Sequence, residues 1–269
     1  MWASRHTKNI LEGMINMKLS ICLNSVTKSL DKPEAIQLAK KLGYPAVEFW
    51  EGANAPVEEI KAALTETGIA LACMGGANNL LVDPATRPQF LENLKTAIEN
   101  AKALGTKSLI ATTGQELEGI PREAQHESVV DGLKEAAKLL QGTGLTLNLE
   151  PLNVLVNHKG HYLYSSAEAF EIVRKVASPN VKVLFDIYHQ QISEGNLIAN
   201  ITENIDLIGH FHVAGNPGRG EPYIGEINYK EVFKAIDAAG YTGYAGLEYW
   251  PKVDGMEDSL AKILELYSS

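Results

Sequence analysis

Four residues of types that bind metal ions stand at or just after short apolar runs in the second half of the chain. They are Glu150 after LTLNL, Asp186 after VKVLF, His212 in HFHV and Glu248 after YAGL. Successive side chains of a strand point to opposite faces, so Asn148 and Glu150 are expected on one face and Leu147 and Leu149 on the other. Four parallel strands that present such groups at one edge would form a mostly oxygen-lined pocket for a divalent cation.

Each of the four residues also has a simpler interpretation when it is taken alone. A carboxylate at a strand end can pair with a lysine or cap the next helix. Pairing and capping are much poorer explanations for four such residues at matching positions of four consecutive strands than for any one of them. The pattern therefore favours a shared metal site. His210 lies on the same strand face as His212, and this leaves open that one of the two is a hydrogen-bonded interior histidine.

Strand-like apolar runs alternate with amphipathic helical stretches along the whole chain, a pattern typical of parallel strands joined by helical crossovers. The predicted strands begin at Lys18, Ala46, Ala70, Lys107, Leu145, Val181, Leu207 and Tyr244. The predicted helices cover residues 33–42, 57–67, 87–104, 123–141, 166–176, 229–239 and 256–266. Several of these helices end at a glycine, a common helix terminator.

Eight such units predict an α/β fold with a single (β/α)8 TIM barrel. An open doubly wound sheet more often has a glycine-rich phosphate loop after its first strand, and the sequence contains neither GxGxxG nor a Walker-type loop. No linker or fixed-period repeat divides the chain. Because MKLSICLN predicts an opening strand, we expect residues 17–269 to form the barrel and residues 1–16 to be an N-terminal extension outside it.

Two connections, residues 151–165 and 214–228, are longer than a tight turn requires, and both follow strands on the side where barrel enzymes build their sites. The second contains Arg219 and Glu221, which supply charge there. Arg219 can bind a carboxylate of the substrate through two hydrogen bonds or can instead form an ion pair with Glu221. His189, three positions after Asp186, can donate to a carbonyl oxygen or orient a metal ligand.

Aromatic residues also lie near the strand ends, where they can form walls of a pocket or simply pack against their neighbours. These residues are Trp50, Tyr188, Tyr249 and Trp250.

Composition excludes several classes of protein. The formal net charge of −9 argues against a nucleic-acid partner, since such binding depends on Lys and Arg at phosphates. No run of about 20 apolar residues is present, so we expect a cytoplasmic protein without a membrane partner. Cys22 and Cys73 both lie in apolar stretches, which favours buried side chains over a disulfide.

The segments LNLEPLN, VLFDIYHQQ, GHFHVAGNPGRGEPYIGEINY and GLEYWP occur in this order, and together they resemble the hydroxypyruvate isomerases. The resemblance extends over most of the chain from Met17. It reaches beyond this family to the xylose isomerase-like sugar isomerases and epimerases, which include D-tagatose 3-epimerase. It therefore implies a TIM barrel enzyme that acts on a small-molecule hydroxy-keto acid or sugar and assembles as a homo-dimer or homo-tetramer.

The resemblance also implies roles for individual residues. Glu150, Asp186, His212 and Glu248 would bind Mn²⁺ or Mg²⁺, and Glu150 and Glu248 would also act as acid and base. Residues implied to contact the substrate are His189 and Arg219, and Glu221 is a further candidate. One position departs from the pattern, because many hydroxypyruvate isomerases carry Gln where this chain has His212, whereas ketose epimerases carry His.

A site with these groups suits isomerisation through an enediolate. Isomerising an α-hydroxy carbonyl compound removes a proton from a carbon acid, and a cation stabilises the charge of the resulting enediolate. Two carboxylates on opposite sides of the substrate can remove one proton and return another.

Three alternatives are open. One is a ketose 3-epimerase of the D-tagatose 3-epimerase type, which His212 favours. Another is an apurinic endonuclease on the same barrel, which needs more histidines near the pocket and a basic face. The third is a sugar-binding barrel without catalytic activity.

Overall fold

The computed structural model describes residues 17–267, and the proposed extension 1–16 lies outside the described residues. Eight parallel strands form a closed barrel in sequence order, with the first strand paired to the last. The strands are Lys18–Cys22 (β1), Ala46–Phe49 (β2), Ala70–Gly75 (β3), Ser108–Ala111 (β4), Thr146–Leu149 (β5), Val181–Asp186 (β6), Ile208–Val213 (β7) and Tyr244–Leu247 (β8). The predicted (β/α)8 barrel is confirmed.

Helices follow the strands and surround the barrel. Those in residues 17–267 are Lys32–Leu42 (α1), Val57–Thr67 (α2), Arg87–Leu104 (α3), Arg122–Leu140 (α4), Ser166–Val176 (α5), Ile187–Ser193 (α6), Leu197–Glu203 (α7), Tyr229–Ala238 (α8) and Met256–Tyr267 (α9). Short 3₁₀ helices cover Pro84–Thr86 and Ile205–Leu207. The seven predicted helices are present with bounds that differ by at most one residue at either end, and α6 and α7 were not predicted.

Helix ends follow the local sequence rules. Asp31 caps α1 because its side chain accepts a hydrogen bond from the backbone N–H of Glu34 at 2.8 Å. Pro33 lies in the first turn, where a missing N–H costs nothing. Gly43 ends the helix in the left-handed conformation, with φ of 89°.

Alternation along the strands divides the molecule into an outer core and a barrel interior. In β7, Phe211 and Val213 belong to the large apolar core that includes residues of the surrounding helices. Residues of the opposite parity point inward, where a small cluster of Cys73, Ile110 and Leu184 is separate from that core. Polar interior residues share this parity, and they include Ser20, Glu48, Asn148, His210 and His212.

Other expectations from the sequence concern connections and cysteines. The long connections after β5 and β7 are present, because α5 begins at Ser166 and α8 at Tyr229. Cys22 and Cys73 are free and buried, as expected. In residues 17–267 every helix is too short or too polar to cross a membrane.

Candidate active site

The carboxyl ends of β5 to β8 bring the four predicted ligand residues together. One potential ligand atom from each of four side chains lies within 4.8 Å of the other three, and all four side chains are buried. They belong to Glu150, Asp186, His212 and Glu248. We call these side chains the four-residue cluster. Their convergence is the geometry that the strand-end pattern predicts, and binding of a cation by them stays a prediction.

Strand register explains this convergence. Asp186 pairs with His212 between β6 and β7, and His212 pairs with Gly246 between β7 and β8. Glu150 and Glu248 each lie one residue past a strand end, and each still forms a backbone hydrogen bond with the preceding strand of the barrel. Their backbone N–H groups donate to the carbonyl oxygens of Ala111 at 2.9 Å and Val213 at 3.0 Å, respectively. The four side chains therefore point inward at the same end of the barrel, the carboxyl ends of the strands.

Asp186 is oriented by the helix that follows it. Its Oδ1 accepts hydrogen bonds from the backbone N–H groups of Tyr188 at 2.8 Å and His189 at 3.1 Å, which caps α6. Its Oδ2 is left to face the cluster, with Nε2 of His189 at 3.5 Å.

Several buried atoms of the cluster lack a hydrogen-bond partner among the described residues. Oε1 of Glu150 and Nδ1 of His212 are 3.3 Å apart, yet neither forms a hydrogen bond. Nδ1 of His212 is also 3.4 Å from Oε2 of Glu248. Buried polar atoms without partners are rare in native proteins and call for an explanation such as an ion. Three carboxylates and one imidazole form a donor set that fits Mn²⁺ or Mg²⁺.

The two candidate acid–base carboxylates have different electrostatic environments. Burial raises the pKa of Glu150 to about 7, and the charges of Glu248 and Asp186 add to this rise while His212 opposes it. Burial acts in the same direction on Glu248, but the positive charges of His212 and Arg219 outweigh it and lower the pKa of Glu248. Burial also raises the pKa of Asp186, against the charge of Arg219.

His212 and His210 occupy different positions in the barrel, and His210 is the hydrogen-bonded interior histidine that the sequence allowed. His210 is an interior histidine whose Nε2 is 2.9 Å from Oε2 of Glu48, whereas His212 joins the four-residue cluster. Burial opposes protonation of His212, but the charges of Glu248 and Glu48 outweigh it and raise the pKa of His212.

His189 lies beside the cluster with a defined orientation. Its Nδ1 accepts a hydrogen bond from the backbone N–H of Asn153 at 3.2 Å, so the ring proton is placed on Nε2. Burial, together with the charge of Arg219, lowers the pKa of His189 well below its usual value, which keeps the ring neutral. Nε2 has no hydrogen-bond partner in residues 17–267, and His189 is therefore a candidate donor to a ligand.

Arg219 reaches the cluster from the connection between β7 and α8. Its Nη2 donates to Oε2 of Glu248 and to Oδ2 of Asp186, the latter at 3.4 Å. The guanidinium carbon lies 5.2 Å from the ring centre of Tyr188 and 5.1 Å from that of Trp250, distances typical of cation–π contacts. The alternative ion pair between Arg219 and Glu221 is wrong, because the partners of Arg219 are cluster carboxylates.

Glu221 is buried away from the contacts of the cluster. Its Oε1 accepts hydrogen bonds from the backbone N–H groups of Lys252 at 2.8 Å, Val253 at 2.9 Å and Asp254 at 3.3 Å. These bonds fix the segment after β8, because they satisfy three backbone donors at once. A substrate contact by Glu221 stays a prediction, and the contacts of its carboxylate favour a structural role.

The four aromatic residues near the strand ends separate into two groups. Trp50 donates from Nε1 to Oε1 of Glu248 at 2.6 Å, and Tyr188 and Trp250 flank Arg219. Tyr249 and Tyr188 both belong to the apolar core, but Tyr249 forms its hydrogen bond with Ser259, at 2.5 Å, and not with a residue of the site. Three of the four therefore surround the site, and one is a packing residue.

Sequence reasoning missed two residues that hold the site in place, Glu48 and Asn153. Glu48 was detectable, because AVEF places a carboxylate inside an apolar strand with the inward parity. Asn153 carried no such signal, since it lies in an irregular connection.

A model of the xylose isomerase-like TIM barrel family matches residues 36–266, most of the chain. The chain belongs to this family. Its relatives include the hydroxypyruvate isomerase of Escherichia coli K12, which is 31% identical over 88% of this chain and 94% of that protein. The 2-oxo-tetronate isomerase of Cupriavidus necator is 30% identical over 78% of this chain and 84% of that protein. This member of the xylose isomerase-like family is therefore an isomerase.

Solved structures of the same fold carry different names. A Brucella melitensis protein described as an AP endonuclease of family 2 superposes with a TM-score of 0.87 at 28% identity, over 94% of this chain and all of that chain. D-psicose 3-epimerase of Clostridium cellulolyticum superposes with a TM-score of 0.78 at 21% identity, over 93% of this chain and 98% of that chain. The second likeness shows a shared fold alone.

Proposed function

We propose that this isomerase interconverts the ketone and aldehyde forms of a small hydroxy-keto acid, such as hydroxypyruvate and tartronate semialdehyde, with the help of Mn²⁺ or Mg²⁺. The observation that carries the proposal is the convergence of Glu150, Asp186, His212 and Glu248 within 4.8 Å. The names of the relatives support the substrate class, since both acid isomerases match over most of the chain.

A cation held by these four residues would supply positive charge to the hydroxyl and carbonyl oxygens of the substrate. Oε1 of Glu150 and Oε2 of Glu248 lie 3.3 Å and 3.4 Å from the same atom, Nδ1 of His212, so both carboxylates reach the site. One carboxylate removes a proton from the carbon that bears the hydroxyl group, and a carboxylate returns a proton to the former carbonyl carbon. The charge of the cation would oppose the burial that raises the pKa of Glu150, and so favour the ionised carboxylate that acts as a base.

The hydroxyl proton must also move between the two oxygens of the substrate. His189 is a candidate for this step, because its Nε2 carries a proton and faces Oδ2 of Asp186 at 3.5 Å. Nε2 would give this proton to the former carbonyl oxygen and take up the hydroxyl proton from the other oxygen, so that the ring ends neutral.

Arg219 supports an acidic substrate. Its Nε is buried and has no hydrogen-bond partner in the described part of the chain. A substrate carboxylate would satisfy this donor and match the planar guanidinium with two hydrogen bonds. A neutral sugar offers no such partner, and hydroxypyruvate does.

The test measures turnover of hydroxypyruvate, tartronate semialdehyde, 2-oxo-tetronate and a ketohexose after chelation and after readdition of Mn²⁺ or Mg²⁺. We expect chelation to abolish turnover, either metal to restore it, and E150Q and E248Q to lose at least 100-fold in kcat. The former carbonyl carbon, to which the proton is returned, should also take up deuterium from D₂O. Full activity after chelation, or E150Q and E248Q variants that lose metal without losing turnover, would contradict the proposal.

His212 favours one second candidate, a ketose 3-epimerase, because it provides the histidine that ketose epimerases carry at this position. Deuterium uptake at the third carbon of a ketohexose would distinguish this activity from isomerisation of the acid. Cleavage of abasic duplex DNA serves as a further control, and we expect none from a chain with a net charge of −9. Tight sugar binding without deuterium uptake would instead identify a binding protein.

A cytoplasmic location and assembly into a dimer or tetramer stay predictions. Light scattering coupled to size-exclusion chromatography measures the mass of the assembly against the 29.3 kDa of one chain.

A further inference from the structure

Glu48 is a buried carboxylate on β2, one layer deeper in the barrel than the four-residue cluster. It is 1% exposed. Its Oε2 accepts a hydrogen bond from Oγ of Ser20 at 2.6 Å and lies 2.9 Å from Nε2 of His210. Its Oε1 lies 2.9 Å from Nε2 of His212, and as placed neither of these two buried atoms has a hydrogen-bond partner among the described residues. A buried charge is costly unless several partners surround it, and these three polar side chains meet that condition.

The barrel wall leaves space for this carboxylate at one position of β8. A Cβ atom added to Gly246 would lie 2.1 Å from Oε1 of Glu48 and 2.4 Å from Oε2, closer than real Cβ contacts. Gly246 is also the register partner of His212. The glycine therefore allows Glu48 to approach the rear side of His212.

The two nitrogens of His212 face different partners. Nδ1 lies 3.3 Å from Glu150 and 3.4 Å from Glu248, whereas Nε2 points to Glu48. An imidazole that binds a metal through one nitrogen carries a proton on the other, and an acceptor on that side fixes the ring and its tautomer.

We propose that Glu48 is a positioning residue that holds Nε2–H of His212 against Oε1 and so presents the Nδ1 lone pair to the metal. This inference rests on the proposed metal site. It also accounts for the second group of potential ligands, Glu48, His210 and His212, which lie within 4.8 Å of one another. The carboxylate of Glu48 already has Ser20, His210 and His212 within 2.9 Å. We therefore assign this second group of residues as support for the metal site and expect one metal per chain.

The experiment titrates metal-free protein with Mn²⁺ and follows the free ion by electron paramagnetic resonance. It compares the native protein with E48Q, H210Q, H212Q and the double variant E48Q/H212Q. H210Q is the matched control, because His210 contacts the same carboxylate and touches His212 only ring edge to ring face, and it is not one of the four cluster residues. Unfolding of each metal-free variant by urea reports stability separately.

We expect one site in the native protein and a 10- to 100-fold weaker Mn²⁺ affinity in E48Q. H210Q should change affinity by less than threefold even where it lowers stability. In the H212Q background, which keeps three carboxylates, E48Q should have no further effect on affinity, because Glu48 acts through His212.

Three results would overturn the inference. They are an unchanged Mn²⁺ affinity in E48Q, an equal loss with and without His212, and two sites per chain. If E48Q does not fold, G246A replaces it in the test, because its added Cβ displaces the same carboxylate. An unchanged Mn²⁺ affinity in folded G246A would then overturn the inference. Native protein that binds no Mn²⁺ would overturn the proposed function together with the inference.

Discussion

Glu150 and Glu248 carry the same functional group but differ in the charges around them. Glu150 is contacted by His212 and lies near two other carboxylates, whereas Glu248 also has Arg219 and the indole N–H of Trp50 beside it. Burial raises the pKa of Glu150 to about 7, whereas the charges of His212 and Arg219 outweigh burial and lower the pKa of Glu248. Carboxylates whose environments separate their pKa values in this way are suited to opposite acid and base roles.

Arg219 provides the first prediction. R219M should lower kcat/KM for hydroxypyruvate by roughly 100-fold, because it removes a charge-assisted contact to the substrate carboxylate. R219K should recover only part of this loss, since an ammonium group cannot form the paired hydrogen bonds. Mn²⁺ affinity should not fall in either variant, because no proposed ligand is removed. Steady-state kinetics and Mn²⁺ titration check both points, and a wild-type kcat/KM in R219M would refute the role.

The convergence of the four-residue cluster was predictable because it depends on strand parity and strand direction alone. Parity along each strand and the shared direction of parallel strands place residues 150, 186, 212 and 248 at one edge of the sheet. Glu48 and Asn153 depend on contacts across the fold, such as that between Glu48 and His210, which are 162 positions apart in the sequence. The sequence pattern carries no direct record of such contacts.

The helices also divide into those that the sequence predicts and those that it does not. The longer amphipathic helices have a clear 3.6-residue pattern and were predicted, whereas α6 and α7 have seven residues each. Two turns are too short for a periodic signal. α6 begins directly from β6 with Asp186 as its cap, so the end of the strand and the helix cap are one residue.

Close packing between β3 and the connection after β2 gives the second prediction. A Cβ atom on Gly75 would lie 1.9 Å from the carbonyl oxygen of Trp50, so G75A should lower the free energy of unfolding by about 3 kcal/mol. G43A is the matched control. It introduces a left-handed alanine with open space around Cβ, and we expect a loss of about 1 kcal/mol. Urea unfolding measures both, and equal losses would contradict this packing argument.

His161 in the connection after β5 gives the third prediction, which concerns acid stability. Burial lowers its pKa from 6.5 to about 4, and the charge of His158 adds to this effect. Because the folded protein favours neutral His161, its contribution to stability is complete above pH 6.5 and is lost as the pH falls toward 4. The loss should reach about 3 kcal/mol by pH 4.

H161Q tests this sign, since glutamine does not titrate and can still form a hydrogen bond with Thr113, the partner of His161. Urea unfolding between pH 7 and pH 4 should show a shallower loss of stability in H161Q than in the native protein. Parallel pH profiles would exclude His161 as a source of acid instability.

Considered as a whole, the molecule keeps structural and chemical roles at different places. The outer faces of the strands and the helices form the large apolar core, while the polar interior extends from Ser20 and Glu48 to the four-residue cluster. Active sites at the carboxyl ends of the strands are the rule for this fold. The family and the enzyme class follow from the comparisons, and the choice of substrate depends on groups such as Arg219 that the barrel itself does not fix.

The most direct measurement is anomalous X-ray scattering from a crystal soaked with Mn²⁺ and hydroxypyruvate. We predict one manganese peak within coordination distance of Glu150, Asp186, His212 and Glu248, with the substrate carboxylate against Arg219. A crystal that binds manganese elsewhere, or leaves these four side chains without it, would contradict the metal-dependent isomerase proposed for this chain.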